Sequence, residues 1–456
     1  MIDLSTRAWL KRIVTTFRPC STENVGLCGD GALTSVFHNL GYRYELNRYS
    51  GDDQLEEGMA ADGPAALSEF RAEVRKFIRE SLPRELAQRG ATAFHSSQAD
   101  QQLWGRILYR RGWSAPAWPI EHGGAGWDAA RVQIFDEEAY LAGAPELSWN
   151  GIRLVGPVIY TFGSPEQRAR FLPPTLAWDM FWGQGFSEPE SGSDLASLKT
   201  AARREGGVYI VNGSKIWMTD GHFADWLFCL VRTDNTGRKQ EGISFLLIDA
   251  RSEGVEIRPI PSIDGQHTLN QVFFTDVRVP CENRIGPEGA GWSYAKFLLA
   301  NERTSSAEVP RLKFYLQRLQ RLATTVRRGG RPLADDPLFA QRLALLEIDL
   351  LALEVSVLDA LTGGGRAQSP VAASILKLKG SHLLQSMGEL MVDAIGVDAV
   401  LKLAPPGDAN SFGADLVAEH VPGITSDFLY RRAATIYGGS AEIQRTIIAS
   451  HLLKDA

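Results

Sequence analysis

A multi-domain α+β architecture follows from the sequence: an N-terminal α-helical domain, a central antiparallel β-domain and a C-terminal four-helix-bundle domain. Three observations predict it. Apolar residues recur at helical spacing from Ala65, the period becomes that of strands between about Met180 and Arg284, and the helical period returns after Gly291 and runs to Leu453. At 456 residues the chain is too long for one ordinary core. We place the parts at 1–62, an extension expected to be poorly ordered, then 63–179, 180–290 and 291–456.

The first sixty residues hold two cysteines, scattered Gly, Asn and Ser, and no sustained apolar period. Arg7, Lys11, Arg12 and Arg18 against Asp3 weakly resemble an organelle transit peptide, the alternative being a poorly ordered extension or a mis-assigned start upstream of Met59. From Ala65, Phe70, Val74, Phe77 and Ile78 share one helical face, and Pro83 follows its end. Gln101 to Arg111 and Ala129 to Ala142 continue the pattern. Leu227 to Val231, Ile243 to Ile248, Val255 to Ile260 and Gln271 to Val279 are β-rich runs separated by turn clusters such as Asp234-Asn235-Thr236-Gly237. Leu343 to Leu361 is nearly apolar all round, and Val371 to Ile395 and Phe428 to Leu453 are long and amphipathic, which predicts a bundle buried on several sides.

Composition narrows the partners. A hydrophobic content of 44% with 22% charged residues is ordinary for a globular protein, and no run approaches the roughly 18 apolar residues of a membrane span. Forty-eight Lys plus Arg against 54 Asp plus Glu give a net charge of −6, so there is no basic field to draw the chain to nucleic acid, and a small-molecule partner is expected. Cys20, Cys28, Cys229 and Cys281 lack CxxC spacing, so no metal site is expected. They suit a reducing compartment, the bacterial cytoplasm or a mitochondrial matrix. The sequence has no P-loop and no GxGxxG element.

The stretch from Phe181 to Asp220 carries the chemistry. Its loop Ser187-Glu188-Pro189-Glu190-Ser191-Gly192-Ser193-Asp194 offers hydroxyls and backbone N–H groups, and Val208 to Trp217 reads as strand, Asn212-Gly213 turn and returning strand. That arrangement suits a flat, polar cofactor. A turn beside a core aromatic would read the same way.

Several blocks in order, GWSAPAWPIEHGGAGWD, GFSEPESGSD, GSKIWMTDG, LNQVFFTDVRVP leading into GPEGAGW, NERT at 301–304 and IYGGSAEIQR, make the chain from about Ala65 to Leu453 resemble the acyl-CoA dehydrogenase family. The resemblance implies FAD as cofactor, an acyl-CoA thioester as substrate, the trans-2-enoyl-CoA as product and an electron-transfer flavoprotein or another electron acceptor as partner. By motif position, Gln184, Phe186, Ser187 and Ser193 line the flavin or the thioester, and Trp217 and Thr219 lie against the isoalloxazine. Gly439, Ser440 and Glu442 occupy positions that contact FAD in relatives, and Tyr437 packs beside the flavin or acyl chain. An indole face shields reduced flavin from solvent, and a Thr hydroxyl can bond the ring's polar edge.

The reaction needs a base for the α-proton. In the commonest relatives this is a Glu directly after the Tyr of the closing motif, a position that here is Gly438. Other members carry the base on the first C-terminal-domain helix, just before an Arg, and this chain has Glu302 before Arg303 there. The resemblance therefore makes Glu302 the catalytic base and sets Arg303 beside the substrate. Burial that raises its pKa would suit the role. A Glu-Arg pair on a solvated helix is the plain alternative.

Two departures bear on assembly. The Arg, Phe-Gly and Gln through which a neighbouring subunit grips FAD in homotetrameric relatives have no equivalent in RRGGRPLADDPLFAQRLALLEID, and a glycine-rich block is reduced to DAIGVDAV. This resembles dehydrogenases of two dissimilar subunits, as in steroid side-chain and dicarboxylic acyl-CoA degradation, so a heterotetramer stands beside a homo-oligomer. A flavin monooxygenase or oxidase on the same fold, or a subunit that completes another chain's flavin site, are the other readings.

Overall fold

The computed structural model describes residues 64–92, 95–302, 307–362, 369–400 and 423–453. The extension over 1–62 lies outside them. Six helices open the described chain: α1 Pro64–Ser81, α2 Arg84–Thr92, α3 Gln98–Arg111, α4 Ala129–Leu141, α5 Gly156–Phe162 and α6 Pro165–Leu176. Val74 and Ile78 of α1 pack with Trp104 and Leu108 of α3 and Phe135 of α4, the face that the spacing from Ala65 predicts. Polar side chains start the helices: Asp128 accepts the Arg131 N–H at 2.8 Å before α4, and Ser164 with Gln167 forms a capping box before α6. Gln167 Nε2 also donates to Glu282 O and Arg284 O, at 2.7 and 2.9 Å, which fastens the helical domain to the sheet behind it.

The β-domain comprises β1 Trp182–Gly185, β2 Ala201–Glu205, β3 Val208–Thr219, β4 Trp226–Arg232, β5 Ile243–Asp249, β6 Val255–Ile260, β7 Leu269–Pro280 and β8 Arg284–Ile285. Among the described residues they form one eight-stranded sheet in the order β6-β7-β3-β2-β4-β5-β8, with β1 against β4. Pairing is mostly antiparallel; β1 and β2 meet β4 in parallel. β4 is buried along its whole length, since Phe228 and Leu230 face the helices α5 and α6 while Leu227, Cys229 and Val231 face a second core on the other side. A strand covered on both faces reads as an unbroken apolar run.

The Asn212-Gly213 turn is a correction. β3 runs unbroken through it, and the hairpin turns instead at Gly206-Gly207, between β2 and β3. Asn212 sits opposite an irregularity in β7, donating to Asp276 Oδ1 and accepting the Asp276 N–H, both at 2.9 Å. Gly213 passes so close to Thr200 that an added Cβ would lie 2.7 Å from the Thr200 Cα. The dipeptide that tolerates a turn here permits a bulge and a close approach.

The chain then returns to helix: α7 Gly291–Glu302, α8 Val309–Thr325, α9 Pro337–Thr362, α10 Pro370–Ile395, α11 Ile424–Tyr430 and α12 Ala441–Leu452. Leu312, Tyr315 and Leu319 of α8 interlock with Leu353 and Val357 of α9 and Leu384 and Met387 of α10. Phe428 to Leu453 is not one helix, because Gly438 and Gly439 adopt left-handed φ of 64° and 87° and break it. Nor is α9 buried on several sides: Leu338, Leu345, Ile348 and Val355 form an exposed apolar stripe along it.

Candidate active site

Two halves meet at the end of β3. The first is the loop after β1. Glu188 enters the sheet beneath this loop, where its carboxylate accepts the Lys199 and Thr200 N–H groups at 2.6 and 2.9 Å and the Lys215 ammonium at 2.8 Å. Lys215, entirely out of solvent, also donates to Phe186 O at 3.1 Å, and Ile216 N–H bonds Ser187 O at 2.9 Å. The loop is thus laced to β3 from inside. Burial alone would push the Glu188 carboxyl up, but the Lys215 charge and the hydrogen bonds outweigh it and hold it below the usual range.

Between Lys215 and Met218, β3 takes three steps while β7 takes two, from Val272 to Asn270. This bulge lets Lys215 and Met218 both point inward and turns Trp217 out. Trp217 has a left-handed φ of 62° and is 57% exposed, an uncovered indole on a well-packed sheet. The hydroxyls of Ser187, Ser193 and Thr219 carry no hydrogen bond to protein among the described residues. A bare aromatic face with uncommitted hydroxyls beside it fits a flat ring with a polar edge, the isoalloxazine of FAD. The Phe186 ring is placed otherwise, packed edge-on between Phe228 and Phe245 at 5.8 and 6.2 Å, so that only its backbone is left for a cofactor.

The second half is a cleft between the helical domains. Asn150, in a short π-turn over Asn150–Val155, donates to Trp182 O at 2.8 Å and Thr219 O at 3.5 Å, and its neighbour Trp149 lines a small pocket with Tyr140, Glu308 and Arg311. A second small pocket adjoins it across Tyr140 and Arg311, residues common to both. A buried polar network forms the wall. Arg311 ion-pairs with Glu146, donates to Glu308 Oε2 at 2.5 Å and to the Tyr140 hydroxyl at 2.8 Å. Arg431 bonds Asp427 Oδ1 at 3.1 Å and the Tyr437 hydroxyl at 3.2 Å, and lies 3.9 Å from Glu146 Oε2. Tyr437 donates in turn to Glu308 Oε1 at 3.4 Å, and Tyr315 bonds Asp427. Burial opposes ionisation of Glu146, yet Arg311 and Arg431 bring it down to about 2. Asp220, next to Thr219, is pushed up to about 7 by burial and by the Glu146 charge, against a hydrogen bond with Gln101.

Of the residues expected from sequence, Gln184, Ser187, Ser193, Trp217 and Thr219 lie on or beside β1 and β3. Tyr437 joins the cleft. Gly438 has no side chain to offer, and an added Cβ there would stand 3.5 Å from Lys377 Nζ, an ammonium that donates to Ala434 O at 3.0 Å and lies 4.7 Å from the Tyr437 ring centre. Gly439 and Ser440 form the turn into α12, where Ser440 caps the helix and exposed Glu442 faces Arg445 at 3.7 Å. Glu302 closes α7; its side chain and all of Arg303 lie outside the described residues. Sequence reading missed Asp220, although it directly follows Thr219, and missed Glu146, Glu308, Arg311 and Arg431, which are far apart in the chain and carry no motif.

Comparison with known proteins gives three adjoining matches: "Acyl-CoA dehydrogenase, N-terminal domain" over residues 65–179, the middle domain over 183–277 and the C-terminal domain over 289–453. The Mycobacterium tuberculosis protein "Acyl-CoA dehydrogenase IpdE1" is 35% identical over 392 residues, which cover 85% of this chain and 97% of that protein. Among solved structures, the ChsE4–ChsE5 complex from M. tuberculosis is similar at 30% identity and a TM-score of 0.71, covering 87% of this chain and 99% of the other. The "Tcur3481-Tcur3483 steroid ACAD" is similar at 26% identity and a TM-score of 0.73, with the same coverage.

Proposed function

The chain belongs to the acyl-CoA dehydrogenase family, an FAD-dependent enzyme acting on acyl-CoA, and on that premise we propose that Glu302 is its base and that it works with a related subunit. When bound, FAD supplies the acceptor for the hydride that leaves the β-carbon, giving the trans-2-enoyl-CoA, and hands the electrons to an electron-transfer flavoprotein or similar acceptor.

The protein's part is positioning and proton transfer. Trp217 presents its face to the ring, and Thr219, Ser187 and Ser193 supply hydroxyls to its edge and to the thioester. A hydrogen bond to the thioester carbonyl acidifies the α-carbon, because it stabilises the charge that develops on that oxygen. Glu302 takes the α-proton. One observation carries this assignment: α7 ends at Glu302, and the next described residues, Ala307 to Arg311, line the cleft, where the Tyr437 hydroxyl of the closing segment reaches Glu308. The closing segment brings no carboxylate of its own to that point.

Glu302→Gln tests the role directly. The variant is expected to retain flavin and to lose acyl-CoA bleaching by at least a hundredfold; near-normal turnover would sink the assignment.

The related subunit is supported by the apolar stripe of α9, by the missing FAD-gripping residues over 327–349 and by the two-component neighbours. We place the assembly in the bacterial cytoplasm, where Cys229 and Cys281 would stay thiols. Purification with and without the product of an adjacent homologous gene decides the assembly. A fully active, flavin-saturated homotetramer from this chain alone would overturn it.

A further inference from the structure

We infer that Asn270 is a positioning residue for the flavin end of β3, and that His222 and His267 together make its hold give way in acid. The inference rests on the FAD site and is independent of the assignment of the base.

The bulge that turns Trp217 outward ends where Met218 pairs with Asn270 and the ladder between β3 and β7 resumes. Asn270 is wholly buried, and its side-chain Nδ2 donates to Met218 O at 3.1 Å. From the helical domain, Asn150 Nδ2 reaches the next carbonyl, Thr219 O. Two side-chain amides therefore hold consecutive carbonyls beside the exposed indole, which fixes the bulge from both sides. One residue on, Asp220 N–H bonds Thr268 O at 2.8 Å, and His222 and His267 flank that bond. Their rings stack with centres 4.2 Å apart.

The bonds around Asn270 fix the protons on both rings. Nδ2 faces two carbonyls, Met218 O and Thr268 O, which sets the orientation of the amide and leaves Oδ1 as the atom 2.8 Å from His267 Nε2. His267 therefore donates from Nε2. His222 Nδ1 stands 3.4 Å from the Nδ2 donor and keeps its lone pair there. A second proton on His222 has only that nitrogen to go to, where it meets the Asn270 N–H and a stacked imidazole. Protonation thus turns an acceptor of Asn270 into a donor that pushes the amide off Met218 O. Burial, and then charge on His267, hold the His222 imidazole below its ordinary value. The other charges packed around the turn are engaged elsewhere: Asp220 with Gln101, Asp225 with Arg251 at 2.6 Å, Glu256 with Arg258 at 2.7 Å, Asp264 with Ser262 and Ser426, and Asp276 with Asn212. A lowered value means that the folded turn takes the proton less readily than the unfolded chain, so the hold is complete above a pH of about 6.5 and is lost as pH falls below it.

The test follows flavin release from the assembled holoenzyme, diluted at about pH 7.5 and about pH 5.5, by the fluorescence of free FAD. Wild-type release is expected to be about fivefold faster or more at the lower pH. His222→Gln keeps a carbonyl that accepts from Asn270 but does not titrate, and should bring that ratio below about twofold. Asn270→Leu should release flavin fast at both pH values, with no dependence on acid. Nitrogen-15 shifts of the imidazoles in the flavin-free protein, with the two rings assigned from His222→Gln and His267→Gln, should show His222 bare at Nδ1 and His267 protonated at Nε2 at the higher pH. A wild-type ratio in His222→Gln, or a proton on His222 Nδ1 at the higher pH, overturns the inference and leaves the assignment of Glu302 untouched. A holoenzyme that retains no FAD at either pH overturns the flavin reading as well. If Asn270→Leu does not fold, the release ratio of His222→Gln and the ring shifts still decide.

Discussion

Lys215 and Glu188 form an enclosed ion pair, Nζ to Oε1 at 2.8 Å, that ties the middle of β3 to the loop which precedes it by almost thirty residues. The pair has no solvent to turn to if one member is lost. Lys215→Met should therefore leave a buried carboxylate uncompensated and destabilise the protein by about 3–5 kcal/mol. The double change Lys215→Met, Glu188→Leu should be milder than Lys215→Met alone. Denaturant unfolding of the three proteins checks this; a single variant no worse than the double would show the pair is not coupled.

Trp217 should behave in the opposite way. Its indole is mostly exposed and its backbone sits in the left-handed region, so Trp217→Gly relieves strain of about 1 kcal/mol and should leave the apoprotein as stable or more so. Flavin affinity should fall at least tenfold. Thermal unfolding of the apoprotein and a fluorescence titration with FAD separate the two effects, and a large loss of apoprotein stability would instead make Trp217 a structural residue.

Asp220 gives a pH dependence with a defined sign. Its folded pKa of about 7 lies above the value of about 4 for an unfolded aspartate, so between those limits the folded state keeps a proton the unfolded state has released. Stability conferred by this group is complete below pH 4 and is lost as pH rises through 7. Asp220→Asn, an isosteric change that tolerates the left-handed φ of 59°, removes the effect. Relative to wild type, the variant should gain about 3 kcal/mol between pH 5 and pH 8, at about 1.4 kcal/mol per unit. A pH-independent difference would place the Asp220 carboxyl in water.

The stripe on α9 makes a prediction about assembly. Ile348→Glu with Val355→Lys should leave the fold of the chain intact, because both side chains are more than half exposed, and should abolish association. Light scattering and circular dichroism read the two outcomes; an unchanged oligomer would assign the stripe to some other purpose.

Much of this was legible in the sequence because it rests on local rules. The runs of β4 and β5 are apolar throughout since both faces are covered, and the caps at Asp128 and Ser164 stand where the helices begin. Val208 to Thr219 was harder. Alternation and Asn-Gly both suggested a turn, whereas tertiary pairing with Asp276 and the close passage of Thr200 kept the strand whole. The cleft was illegible for another reason: Glu146, Glu308 and Arg431 come together only through packing of separate helices, and each alone is an unremarkable charged residue. The apolar breadth of α9 was visible, but what covers its outer face was not, since a single chain's sequence gives the same pattern for core and interface.

The helices α7 and α8 follow one another yet join different cores. Tyr294, Ala295 and Leu298 of α7 pack with Phe228 and Phe245 of the sheet, while Leu312, Tyr315 and Leu319 of α8 belong to the bundle, with Glu308 in a left-handed conformation between them. On the proposed role of Glu302, the base would thus be carried by a helix packed on the sheet, while Glu308 and the residues after it belong to the bundle. Substitutions in the bundle core would then reshape the cleft without moving the helix that carries the base, so the two could vary independently.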